Sequence, residues 1–265
     1  MKYGFIKFSP TQNMTVLVTT PVPRCEQSAV AEKLIDYANV FAEQAGFREE
    51  PTLPGARARL QMMGGEFCGN ATMSLAACVA REDGLPVGEA CEVPVEVSGA
   101  PDVCRCQVLR TGETAFSCRV SMPLPTSLES VDGMTLVHMP GIAHFIVPHG
   151  CEDRAEAERS IRVLADRTPE DAVGLVFFRA ETGQIEPLVY VRGTDSCVWE
   201  RGCGSGSAAV GAMLAWKNRA AVKIHLKQPG GMIETEAAWA NGALTELTIR
   251  GQARIVAEGT AYTED

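Results

Sequence analysis

Residues 64–80 read GGEFCGNATMSLAACVA, and residues 200–216 read ERGCGSGSAAVGAMLAW. Each opens on Cys-Gly and runs on in small and apolar residues, the composition of a helix buried on every side. The two cysteines, Cys68 and Cys203, stand about half of the 265-residue chain apart. One such stretch is an accident of packing. Two at that spacing predict an internal duplication, with each half built around its own Cys-Gly helix.

The flanks follow the same plan. Upstream of Cys68, CEQSAVAEKLIDYANVFAEQAG (25–46) predicts a helix carrying Val30, Leu34, Tyr37, Ala38 and Phe41, with Gly46 as its stop. Upstream of Cys203, EDRAEAERSIRVLADR (152–167) predicts a shorter one with Ile161 and Leu164 on one side. Downstream of the first cysteine come VPVEVSG, CRCQVLR and FSCRVSM; downstream of the second come AVKIHLK, MIETEAAW and LTELTIRG. These segments alternate and are broken by TGE, PGG and NG, the punctuation of antiparallel strands. Each half reads as strand, helix, strand, Cys-Gly helix, meander.

Composition narrows the function. The chain is 46% hydrophobic and 22% charged, as an ordinary globular protein is, and carries a net charge of −9. That charge argues against nucleic acid or an anionic membrane as the main partner. MKYGFIKFSPTQN lacks the apolar core of a signal peptide, and AAVGAMLAW (208–216) is half of a bilayer span. The expectation is a cytoplasmic protein. Ten cysteines include no CxxC pair. Cys104 and Cys106 share one face of a strand without a nearby histidine, a poor zinc set, so no metal is expected. Most of the remaining cysteines read as buried small hydrophobes.

The Cys-Gly starts have a chemical logic. A helix N-terminus offers unpaired N–H groups and the positive end of the dipole, so a cysteine there is more easily a thiolate. The glycines admit a ligand close to the backbone, and the free N–H groups can hold a carboxylate. If the halves pack about a pseudo-twofold axis, two sulfurs flank one cavity. One thiolate then removes a proton from a carbon and the opposite thiol returns one, inverting the stereocentre. Two such thiols would also close into a disulfide in an empty cavity, so mild oxidants would inactivate and dithiothreitol restore.

These residues resemble the diaminopimelate epimerase and proline racemase superfamily, cofactor-independent enzymes with two catalytic cysteines. Phe67-Cys68-Gly69-Asn70 is similar to its Met-Cys-Gly-Asn segment, and Cys203-Gly204-Ser205-Gly206 to its Cys-Gly-Thr-Gly. Glu200-Arg201 resembles its Glu-Arg, and Asn13 an N-terminal substrate-binding asparagine. The resemblance implies an α+β fold of two similar domains, each a curved, mostly antiparallel sheet around a central helix. The boundaries expected are 1–125, with the C-terminal strand 252–265 a candidate to complete it, and 126–251. It implies Cys68 and Cys203 as catalytic residues, and Asn13, Gly69, Asn70, Glu200, Arg201, Gly204 and Ser205 as substrate-binding. The implied partner is a small-molecule amino-acid substrate, with a homodimer as the expected assembly.

Departures bear on the substrate. Only Gly202 stands between Glu-Arg and the second cysteine, where diaminopimelate epimerases carry a longer segment. Their Gly-Asn-Pro-His appears as Gly141-Ile142-Ala143-His144, and Gly174 replaces an asparagine of their Val-Asn-Phe-Val strand. Both lost asparagines serve the distal end of diaminopimelate. The short ERGCGSG and the shape of GGEFCGNAT look more like the histidine racemase branch, which supplies D-histidine for opine-type metallophores. His144 reads as a satisfied core or loop histidine.

Other classes compete. Gly204, Gly206 and Ala209 fit G-x-G-x-x-A, but no acidic residue follows at the ribose position, around IHLKQPG. Glu66-Phe67-Cys68-Gly69-Asn70-Ala71-Thr72 resembles the phenazine-biosynthesis-type isomerases, in which the glutamate handles the proton; those generally lack the second cysteine. A non-enzymatic amino-acid-binding protein is the third reading.

Overall fold

The computed structural model describes residues 1–264. The chain divides into two compact units: residues 1–121 with 250–265, and residues 122–249.

The first unit runs β1 (Lys2–Pro10), β2 (Thr15–Val18), α1 (Arg24–Ile35), β3 (Gln44–Glu49), β4 (Arg59–Met62), α2 (Gly69–Glu82), β5 (Ala90–Val97), β6 (Cys104–Arg110) and β7 (Ala115–Ser121). The second runs β8 (Ser127–Val131), β9 (Met134–Met139), β10 (Ile142–Val147), α3 (Arg154–Ala165), β11 (Ala172–Arg179), β12 (Gln184–Val191), β13 (Ser196–Trp199), α4 (Gly204–Asn218), β14 (Val222–Gln228) and β15 (Gly231–Ala240). The last strand, β16 (Ala243–Tyr262), begins in the second unit and ends in the first.

Both units use one wiring. α1 is the crossover of the parallel pair β2 and β3, and α3 that of the parallel pair β10 and β11. The Cys-Gly helices are the next crossovers: α2 joins the parallel strands β4 and β5, and α4 joins β12 and β14. Antiparallel pairing joins β1 to β2 and β16, β3 to β4, β5 to β6, β6 to β7, β8 to β9, β9 to β10, β11 to β12, β12 to β13 and β14 to β15. In the first unit β16 lies between β7 and β1 and closes the strands into a ring.

Layering follows from alternation. In the second unit Ala143, Phe145 and Val147 of β10 and Val173, Leu175 and Phe177 of β11 pack with Ala157, Ile161 and Leu164 of α3. The intervening residues, among them His144, Gly174 and Val176, therefore face α4. In the first unit α1 lies over Val16, Val18, Ala45 and Phe47 through Val30, Ala31 and Leu34, and α2 packs on β1, β2, β4, β5, β6 and β7. Sheets covered on both faces explain near-continuous apolar strands such as TVLV and VGLVFF.

Every residue of α2 from Gly69 to Ala80 is buried, as the composition demanded. Met73, Leu75 and Val79 each contribute roughly 1.5–3 kcal/mol through burial. α4 approaches β15 closely because Gly211 has no side chain: a Cβ there would lie 2.3 Å from Thr235 Cγ2.

The first helix ends earlier than its apolar period predicts. α1 stops at Ile35, Asp36 is extended, and Gln44–Gly46 belongs to β3 instead of a helix terminus. Tyr37 and Phe41 are exposed and stack edge to face, 5.4 Å between centroids. The physical reason is reach: residues 36–43 must carry the chain back so that β3 can pair with β2. The cysteines also divide more evenly than expected. Cys78, Cys104, Cys106, Cys118 and Cys203 are buried, Cys25 is exposed, and Cys68, Cys91, Cys151 and Cys197 are half-buried; all ten are free thiols.

Candidate functional site

Helix N-caps are usually Ser, Thr, Asp or Asn, because an oxygen accepts the N–H of the first turn well. Here both Cys-Gly helices are capped by sulfur. Cys68 caps α2, its Sγ accepting Ala71 N–H at 3.4 Å, and Cys203 caps α4, its Sγ accepting Gly206 N–H at 3.2 Å. The hydroxyl four residues on donates to the capping carbonyl in each case: Thr72 to Cys68 and Ser207 to Cys203, both at 2.7 Å. Two caps that give up the better acceptor at the same place point to a use for the sulfur beyond stability.

Around the first cap, the Cys68 thiol donates to Gln44 Oε1 at 3.3 Å. Gln44 Nε2 donates in turn to Asn13 Oδ1 at 2.7 Å and Thr15 Oγ1 at 2.8 Å. Asn13 is buried and is presented by a turn in which Thr11 and Gln12 both have positive φ, a local strain held by the surrounding strands. Gly69 and Asn70, the first two residues of α2, are buried beside the thiol. Asn13, Cys68, Gly69 and Asn70 thus belong to one neighbourhood. Gln44 joins them and was not singled out from the sequence; the signal for it is the pairing of Thr15 with Gln44 in register.

Around the second cap, Cys203 is 1% exposed. The Ser205 hydroxyl lies 3.5 Å from its Sγ, and the Glu200 carboxylate hydrogen-bonds the thiol. A Cβ on Gly206 would sit 3.0 Å from that sulfur and 3.2 Å from Val176 Cγ2, so the glycine keeps the sulfur's surroundings open. The Arg201 guanidinium reaches Pro229 O at 3.4 Å, and its carbonyl accepts Gly230 N–H.

The expectation that a thiol at a helix N-terminus ionises easily is reversed at Cys203. Burial, followed by the Glu200 charge and its hydrogen bond, pushes the thiol well above its ordinary range, against the opposing Ser205 hydroxyl and Gly206 N–H. The resting group is a neutral thiol, able to give a proton, with a carboxylate beside it able to take one.

His144 also differs from its expected reading. It is fully buried on β10, yet neither ring nitrogen has a hydrogen-bond partner. Its ring lies over Gly174, the residue paired with it on β11: a Cβ there would stand 2.0 Å from Nδ1. Burial lowers its pKa from 6.5 to about 4, so the imidazole is neutral at pH 7. Because the unfolded chain takes up a proton between pH 6.5 and 4 and the folded chain does not, this group's share of stability is full above pH 6.5 and falls as the pH drops towards 4. The loss is about 3 kcal/mol. Urea midpoints at pH 7 and pH 4.5 should show it, and His144→Phe should flatten that part of the acid slope; an equal slope in both proteins rejects it.

Glu66, the rival acid–base residue, is exposed. Its carboxylate folds back on its own loop, accepting the backbone N–H groups of Gly64 and Glu66. Among the described residues no group of three or more His, Cys, Asp or Glu is placed to hold a metal, and no helix is long and apolar enough to cross a membrane.

Solved structures place the fold. It is shared with a probable proline racemase from Agrobacterium radiobacter holding carbonate (TM-score 0.69, 12% identity, 99% of this chain and 93% of that one). It is shared equally with a hydroxyproline epimerase from Agrobacterium vitis holding trans-4-hydroxy-L-proline (TM-score 0.70, 10% identity, 100% and 93%). A phenazine biosynthesis protein from Bacillus anthracis has it too (TM-score 0.70, 13% identity, 99% and 100%). The fold is that of a class that holds racemases, epimerases and a phenazine biosynthesis protein alike.

Within that class the sequence is specific. The family model described as the histidine racemase CntK N-terminal domain matches residues 2–262, and the chain belongs to that family. A histidine racemase of Fusobacterium nucleatum is 31% identical over 97% of this chain and 96% of its own length. One from Staphylococcus aureus is 29% identical over 98% and 97%.

Proposed function

We propose that this protein is an isomerase that interconverts L- and D-histidine without a cofactor, with Cys68 and Cys203 as the acid–base pair at the α-carbon. The observation that carries the reading is the matched pair of sulfur N-caps in a chain of the histidine racemase family.

The chemistry is demanding. An α-proton about 10 pKa units weaker than the thiol costs ~14 kcal/mol to transfer. The compensation is electrostatic: the N-terminal turns of α2 and α4, which begin at Gly69 and Gly204, turn the positive ends of their dipoles to the substrate carboxylate as negative charge builds. Asn13 and Arg201 add side chains for the polar ends of the amino acid. In one sense of the reaction Cys68, as the thiolate that a helix N-terminus favours, takes the α-proton, and the opposite face receives the thiol proton of Cys203. Glu200, hydrogen-bonded to it, takes that proton when the reaction runs in the opposite sense and Cys203 must act as the base.

L-histidine incubated with the protein in deuterium oxide should lose its α-proton and its optical activity together. Diaminopimelate and proline, offered in parallel, should react far more slowly. Absence of α-deuteration in histidine would leave the chain a binding protein, and exchange with full retention of configuration would remove the two-thiol scheme.

A further inference from the structure

Gln228, the last residue of β14, is buried and takes no part in the chemistry above. Its Oε1 accepts the backbone N–H of Cys203 at 2.6 Å. Its Nε2 donates to Ser207 Oγ at 2.8 Å, and that hydroxyl donates to the Cys203 carbonyl at 2.7 Å. One carboxamide therefore closes a ring that ties down both backbone polar groups of the capping cysteine.

A helix cap often completes itself: the capping side chain accepts the N–H of the third helical residue, whose own Glu or Gln reaches back to the capping N–H. The first half of that exchange is present here, from Gly206 N–H to Cys203 Sγ. The second half is barred, because the third residue is Gly206 and even a Cβ there would crowd the sulfur at 3.0 Å. Gln228, 25 residues further along, supplies the missing acceptor from a neighbouring strand.

We infer that Gln228 is a positioning residue, which completes the α4 cap from outside the helix and thereby holds the Cys203 sulfur on the Gly206 N–H. The inference deepens the proposed role of Cys203, but the sulfur's own reactivity tests it without turnover. The groups that face the thiol are the Glu200 carboxylate, Ser205 and Gly206 of α4, and Val176 of β11. Releasing the cap leaves the Glu200 charge in place and removes the N–H that favours the thiolate. The thiol of the variant should ionise at higher pH.

The measurement is iodoacetamide labelling across pH, with Cys203 and Cys68 followed separately by peptide mass spectrometry. Gln228→Leu should move the Cys203 profile to higher pH and leave Cys68 where it was. With histidine as substrate, kcat should fall between about 10-fold and 100-fold with KM nearly unchanged. Gln228→Glu keeps the acceptor and should restore part of kcat, with its pH profile displaced upward by the added charge. If Gln228→Leu does not fold, Gln228→Asn, neutral and one methylene too short to reach the Cys203 N–H, takes its place: a Cys203 profile identical to the parent's overturns the inference. So does an equal shift of both cysteines, the mark of general loosening. A selective Cys203 shift in a protein that never racemises histidine would uphold Gln228 and remove the proposed reaction instead.

Discussion

Cys203→Ser and Cys68→Ser should each lower histidine racemisation about 10³-fold or more, whereas Glu66→Gln should leave it within a few-fold of the parent. A serine hydroxyl keeps the size and the capping bond of the thiol but is a far weaker acid, so the loss reports proton transfer and not a broken helix cap. Because the two enantiomers have equal free energy, kcat/KM must fall by the same factor in both directions, whichever cysteine is changed. The double variant should be little worse than either single one, as expected for groups that act together. Circular dichroism on each enantiomer measures all of this. Near-parental activity in Cys203→Ser, with a large loss in Glu66→Gln, would transfer the chemistry to the carboxylate of the phenazine-type scheme.

Gly174→Ala should be among the most destabilising small substitutions in the chain. The glycine has no unusual φ to protect, so the penalty is purely one of space. The added Cβ would lie 2.0 Å from His144 Nδ1 and 2.6 Å from Cε1, inside a fully buried layer where the ring cannot swing out to solvent. Overpacking of this kind costs about 1–3 kcal/mol, and a ring pinned between strand and helix belongs at the upper end. In a protein of this size about 3 kcal/mol corresponds to a fall in Tm of roughly 6–12 °C. The contact predicts its own remedy: Gly174→Ala combined with His144→Ala should be more stable than the sum of the separate losses allows. Additive losses would show that the ring and the glycine do not constrain one another. A side chain at 174 and the His144 ring as it lies here exclude each other.

Much of the architecture was readable because it is locally encoded. Small residues on every face of 69–80 and 204–215 required buried helices. Alternation with TGE, PGG and NG required meanders, and Cys-Gly at each helix start put sulfur at an N-cap. The apolar period of 30–41 was locally persuasive and still misled, since Tyr37 and Phe41 continue it on the outside of a turn that pairing of β3 with β2 imposes.

By itself, then, the amino-acid sequence determined where the two cysteine caps fall, the order of elements in each half, and the family to which those motifs point. The tertiary structure alone decided the distant partners: Gln44 on Cys68, Gln228 on Cys203, and a neutral His144 lying over Gly174. The reason is physical. A helix start is written in a few adjacent residues, whereas the partner of a buried polar group is chosen by strand register across more than twenty intervening positions, and its protonation by how completely water has been removed.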